Sequence, residues 1–153
     1  MTTAAGAIAY LHWRKAVASH DYDAAFSYLS IRFGGRRAEK LSAALRDLPI
    51  VTRRANDILR ATGRDPLPLS DPGVLNDLKK VLAGGKLSPV LVAEGDIADG
   101  YHRVSLAYAL DPFAEVPLKL GGVGIGAAAS AVTGAGAGAS VVADAGAGSA
   151  TKR

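Results

Sequence analysis

The sequence predicts a mixed α/β protein: an N-terminal helical bundle, then a small α-β-β-α-β unit, then a disordered Gly/Ala-rich tail. Three observations predict it. Up to about residue 62, apolar residues recur at helical spacing between Gly-Gly and Pro interruptions. From residue 72 to 120, a capped helical pattern, two short apolar runs, a second helical pattern and a last apolar run follow one another closely, as in an α/β unit. Beyond residue 120, large side chains become scarce.

Residues 1–65 form the helical region. A first helix from about residue 4 carries Ala7, Ile8, Leu11, Ala16 and Val17, with Trp13 as an anchor. Asp21 or Asp23 can cap a second helix that turns Ala25, Phe26, Leu29 and Phe33 inward and stops at Gly34-Gly35. A third helix from about Arg37 carries Leu41, Ala44, Leu45 and Leu48 up to Pro49. A fourth, from about Val51, turns Ala55, Ile58 and Leu59 inward and stops at Gly63.

Residues 66–120 form the α/β unit. Pro66, Pro68 and Pro72 extend the chain, and Ser70 or Asp71 can cap a helix with Pro72 at its first position. Its predicted buried stripe is Val74, Leu75, Leu78, Val81 and Leu82, closed by Gly84-Gly85. Leu87 to Ala93 reads as a strand, Glu94-Gly95-Asp96 as a turn and Ile97 as a second short strand. A helix over about 101–110, with Val104, Ala107 and Tyr108 inward, leads to a last strand near Val116 to Leu120. Residues 121–153 form the tail. Gly121 to Ala150 holds nine glycines and eleven alanines, too little buried area per residue to offset ordering entropy. Its competing reading is a membrane segment, since Gly121 to Ala143 carries no charge; Gly and Ala insert weakly, and no membrane is expected.

The 153 residues suit one ordinary domain plus the tail. Eighteen basic against fourteen acidic side chains leave a charge of +4, a mild tilt towards polyanions. Aromatic residues are only 6%, so stacking platforms for single-stranded nucleic acid are scarce. The absence of cysteine excludes disulfides, thiolate nucleophiles and Cys-ligated zinc. The start of the chain lacks a basic n-region and its apolar run is broken by His12, Arg14 and Lys15, so a cytoplasmic location is expected.

The most informative stretch is Ile97-Ala98-Asp99-Gly100-Tyr101-His102-Arg103. It reads as strand, tight turn, helix. The first-turn N–H groups of such a helix have no internal partners and attract anions. Glycine permits close backbone approach, and Arg103 can fork onto phosphate oxygens. A phosphate or nucleotide pocket is expected at Gly100, Tyr101, His102 and Arg103, with Lys86 in reach of a phosphate. Each residue has a plainer alternative. Arg103 can pair with Asp99, Asp96 or Asp111. His102 can serve as acid or base, or rest on the helix surface. Asp99 can cap the helix or hold Mg²⁺ against the phosphates, with Glu94 and Asp96 as further carboxylates. Tyr101 can stack on a ring or pack over the turn.

Leu87-Ser88-Pro89-Val90-Leu91-Val92, Ala98-Asp99-Gly100-Tyr101-His102-Arg103 and Glu115-Val116-Pro117-Leu118, in this order, resemble the ParB N-terminal/sulfiredoxin-like superfamily over about residues 72–120. Residues 54–71, with Asn56-Asp57-Ile58-Leu59-Arg60-Ala61, are similar to a subgroup of uncharacterised bacterial proteins carrying this domain. The resemblance implies nucleoside triphosphate binding at the turn, with Gly100, His102 and Arg103 on the phosphates. Members hydrolyse CTP and act on DNA, repair oxidised cysteine with ATP, or phosphorylate serine. The implied ligand is therefore ATP or CTP, with Mg²⁺ as a candidate ion and His102 and Asp99 as candidate catalytic groups for hydrolysis or phosphoryl transfer. Tyr101 stands where sulfiredoxins have cysteine, which excludes their chemistry. His102-Arg103 stands where ParB has two arginines, and the tail stands where ParB continues into a DNA-binding domain.

A second reading is independent of the turn. From Arg32 to Arg64, nine Lys/Arg face three Asp/Glu. Arg36, Arg37, Lys40, Arg53 and Arg54 could form a DNA-binding face, with helices 37–48 and 51–62 mimicking a helix-turn-helix; otherwise they form a solvated surface with pairs such as Arg53/Asp57. The third reading is a bacterial or phage interaction protein without small-molecule chemistry.

Overall fold

The computed structural model describes residues 9–122. The predicted tail, its membrane alternative and the first residues of the chain fall outside the described residues. The elements are α1 (Ser19–Phe33), α2 (Gly35–Asp47), β1 (Val51–Arg54), α3 (Ala55–Thr62), α4 (Pro72–Leu82), β2 (Val90–Ala93), β3 (Asp96–Asp99), α5 (Tyr101–Leu110) and β4 (Glu115–Gly121). The mixed α/β class is as expected. No described helix is long and apolar enough to cross a membrane.

The four strands form one mixed sheet in the order β1-β4-β2-β3. β4 runs antiparallel to β1, with Val51 opposite Leu118, and parallel to β2, with Val90 opposite Leu118. β3 runs antiparallel to β2. Pro117 is tolerated because the β2 ladder begins only at Leu118, so at Pro117 only β1 flanks the strand. All four residues of β2 are buried because helices cover both faces of the sheet. On one face, Leu91, Ala93 and Ala98 meet Tyr22, Ala25 and Leu29 of α1 and Ala38 and Leu45 of α2. On the other, Val90, Val92, Ile97, Val116 and Leu118 meet Ala55, Ile58 and Leu59 of α3 and Val104 and Ala107 of α5. α4 seals the outside of α5 through Val74, Val81, Leu87 and Leu106. Lys119 lies under α2: its Nζ donates to the Arg46 carbonyl at 2.8 Å and sits 5.5 Å from the Tyr22 ring, a cation at a helix C-terminus.

The α4 prediction holds in detail. Asp71 Oδ2 accepts from Gly73 N at 2.9 Å and Val74 N at 3.2 Å, with Pro72 opening the helix. Leu75 and Leu82, however, are exposed rather than part of the buried stripe. Three expectations are corrected. Residues 9–18 contain no helix; Trp13 instead forms a parallel bridge with Leu87, whose N–H donates to the His12 carbonyl at 2.8 Å. The predicted fourth helix begins as a strand, because Val51 to Arg54 add to the β4 edge before the chain turns into α3. That removes the helix-turn-helix resemblance. Finally, α1 and α2 are no separate bundle: they pack on the sheet and belong to one compact unit with it.

Candidate phosphate site at the start of α5

β3 ends at Asp99, and the chain enters α5 through Gly100 with φ at +108°. An L side chain is strained there, and a Cβ would lie 2.9 Å from Val90 Cγ2 and 3.0 Å from Arg103 Nη2. Gly100→Ala is therefore expected to cost about 2 kcal/mol by urea denaturation, from backbone strain and overpacking; a change under about 0.5 kcal/mol would contradict this geometry. Gly100 supplies no side-chain cap, so the first N–H groups of α5 have no side-chain acceptor. The strand-turn-helix order read from the sequence is present.

Arg103 projects from this first turn into a nearly closed setting, with its side chain 15% exposed. Its Nη2 donates to Asp99 Oδ2 at 3.0 Å, to Asp21 Oδ2 at 3.2 Å and to the Pro89 carbonyl at 3.4 Å. Its Nε–H is buried and has no partner among the described residues. Asp21 is itself buried and lies 3.2 Å from His20 Nε2. Burial pushes the Asp99 carboxyl above its ordinary value despite Arg103, and burial also raises Asp77 of α4, which lies close enough to feel Arg103 and His102. His102 is exposed. Its Nε2 is 3.4 Å from Asp71 Oδ2, and its ring lies where a Cβ on Gly73 would be. It thus links the start of α5 to the start of α4.

Tyr101 packs under the strap between α3 and α4: its hydroxyl donates to the Asp65 carbonyl, and the Arg64 guanidinium lies 5.1 Å from its ring. Arg64 also donates to Asp96 Oδ1 from Nη2 at 2.9 Å and Nε at 3.2 Å, and to the Tyr28 hydroxyl at 2.6 Å. Tyr28 donates to Asp96 in turn, and Arg32 lies 3.5 Å away. Burial alone would raise Asp96; the Tyr28 hydroxyl and Arg64 outweigh it and hold the carboxyl below its ordinary value. Tyr28 is raised by burial and by Asp96.

The remaining predicted residues are dispersed. Asp96 is committed to Arg64 and Tyr28, and Glu94 pairs with Arg37, so neither joins Asp99. Among the described residues no three His, Asp or Glu side chains converge on a common point for a metal. Lys86 is exposed and forms no ion pair among the described residues. The basic residues do not make one face. Arg36, Arg37 and Lys40 line an open groove of about 430 Å³ with Phe33, Gly34 and Gly35. Arg53 and Arg54 of β1, the opposite edge of the sheet from β3, line another, of about 260 Å³, with Thr52, Asp57 of α3 and Glu115 of β4. Arg54 also lies over the Phe113 ring, 5.5 Å from its centre.

Sequence reasoning missed Asp21, which is no cap: α1 has Ala18 before it and no side-chain cap. A signal was available. Asp21, Ala25 and Leu29 fall four residues apart, so the carboxylate stands in the buried stripe of α1. Asp77 and the Arg64–Asp96–Tyr28 cluster carried no local signal. No family model, curated protein or solved structure matches this chain.

Proposed function

We propose that this protein binds the phosphates of a nucleotide, ATP or CTP, at the start of α5. The first-turn amides, Arg103 and His102 are the recognition groups. One observation carries the reading. All three protein acceptors of Arg103 crowd onto Nη2, while its Nε–H stays buried and unpartnered beside a helix start with no side-chain cap. A buried donor without an acceptor is costly, and a phosphate oxygen would satisfy it. The resemblance of residues 72–120 to the ParB N-terminal/sulfiredoxin-like class supports the same reading, as does the observed order α4-β2-β3-α5-β4. Magnesium would arrive on the triphosphate, with Asp99 the candidate protein ligand. The DNA-binding alternative is weaker because its five cations are divided between two grooves.

Calorimetric titration of ATP and CTP, with and without Mg²⁺, tests the proposal. Saturable binding is expected. His102→Ala removes an exposed side chain without disturbing the core and should weaken binding about tenfold, or 1.4 kcal/mol. Arg103→Lys, which keeps the charge but loses the Nε–H, should weaken it at least as much. Binding by both variants as tight as by the wild type would end the proposal, as would the absence of binding both by the wild type and by a variant in which a carboxylate beside Arg103 is neutralised.

A further inference from the structure

We propose that Asp21 is a built-in competitor at this site: its carboxylate holds the Arg103 guanidinium that an incoming phosphate needs, so the first turn of α1 gates binding. This inference rests on the phosphate reading above.

Two carboxylates, Asp21 and Asp99, contact the same nitrogen of Arg103, and Asp77 faces the group from α4. One guanidinium thus stands against three acidic side chains. The other ionisable groups facing them are His20 on α1, His102 on α5 and Lys80 on α4. A phosphate placed beside Arg103 would meet this excess of negative charge in a poorly hydrated setting, where repulsion between like charges is strong. One of the carboxylates has to give way. Asp99 is not free to do so, because it is fixed within the turn by the β3 ladder and lies four residues before Arg103. Asp21 belongs to a different element, 82 residues away in sequence.

The attachment of α1 is also uneven in the way a gate requires. From the end of its first turn onward it is seated in the core by Tyr22, Ala25 and Leu29, and Tyr28 is bonded to Asp96. Its first turn has no side-chain cap. Ahead of Tyr22, the polar ties to other elements among the described residues are the hydrogen bond from Ala18 N to Ser88 Oγ at 3.0 Å and the Asp21–Arg103 pair. Fraying of Ser19 to Asp21 alone would withdraw the carboxylate from Arg103 while Tyr22 keeps the helix seated, and helix ends open at low free energy. Phosphate and Asp21 would then be alternative anions for one cation, and the resting affinity is reduced by the fraction of molecules in which Asp21 holds the clamp.

Asp21→Asn keeps the shape and an acceptor oxygen but removes the charge. Titrated calorimetrically with ATP and with tripolyphosphate, it should bind about tenfold more tightly than the wild type, although a merely structural pair would give equal or weaker binding. A double variant guards against misfolding of the single one. Ala18→Cys with Ser88→Cys places two thiols where the first turn of α1 meets the sheet, in a chain without other cysteines. Oxidised, it should bind ATP several-fold more weakly than when reduced. Wild-type binding that depends on His102, together with unchanged or weaker binding by Asp21→Asn and no redox effect in the cross-linked form, would overturn the gate alone. Absence of binding by the wild type and by Asp21→Asn would overturn both the gate and the phosphate site. Binding by Asp21→Asn where the wild type binds none would support both.

Discussion

Arg103→Met is expected to lower folding stability by about 3–5 kcal/mol at neutral pH, the range for removing one partner of a buried ion pair. The loss arises less from the contacts removed than from those left behind: Asp21, with its side chain 6% exposed, and Asp99 would face each other without the cation between them. The effect should depend on pH in a defined direction. In the folded wild type, burial already raises the Asp99 carboxyl above its unfolded value. The folded state therefore binds this proton more tightly than the unfolded chain, and the group opposes folding increasingly as pH rises through its raised value. Without Arg103, which holds it down, the Asp99 carboxyl moves further in that direction. Urea denaturation at pH 5 and pH 7.5 should show a smaller loss at the lower pH, and adding Asp21→Asn to Arg103→Met should restore part of the stability. An equal loss at both pH values, with no restoration, would mean that the carboxylates do not depend on this cation.

Arg64→Met is expected to cost about 3 kcal/mol near neutral pH, again by stranding a buried carboxylate. Asp96 would keep the Tyr28 hydroxyl and the Ile97 N–H at 2.9 Å but lose both bonds from the guanidinium. Here the pH dependence has the opposite sign. The Asp96 carboxyl is held below its unfolded value, so its contribution is fully present above about pH 4 and is lost as pH falls through the lowered folded value. The wild type should therefore lose stability on acidification over that interval, and Arg64→Met should show a much shallower dependence there. Thermal unfolding between pH 2.5 and 6 measures both slopes; parallel curves for the two proteins would rule out this assignment. Since Arg64 also covers Tyr101 at the start of α5, the same variant should loosen the strap over the candidate site.

Both effects concern residues whose importance lay at different depths in the sequence. The Asp-Gly-Tyr-His-Arg turn was legible because everything that makes it lies within a few residues: a glycine at positive φ, an apolar run before it and a helical pattern after it. The Asp71 cap with Pro72 behind it was legible for the same reason. The misreadings came where a segment's state is set from a distance. Val51 to Arg54 are too few residues to show an alternating pattern, and they become a strand only because β4 offers them an edge. Trp13 is extended rather than helical because Leu87 supplies a bridge partner.

The α/β class, the order of elements from α4 to β4, and an arginine on the first turn of a glycine-started helix are all written in the residues themselves. These follow from hydrophobic period, capping and turn chemistry, which act over a handful of neighbours. The packing of distant elements sets the rest: that Arg103 meets Asp21 and Asp99, that Arg64 meets Asp96, and that the basic residues are divided between a groove on α2 and one at the β1 edge. Periodicity can place a charge such as Asp21 on a buried face, but it does not name the charge it will meet. Which charges meet is fixed by the crossing of elements far apart in the chain, and a buried carboxylate takes whichever cation the packed core brings to it.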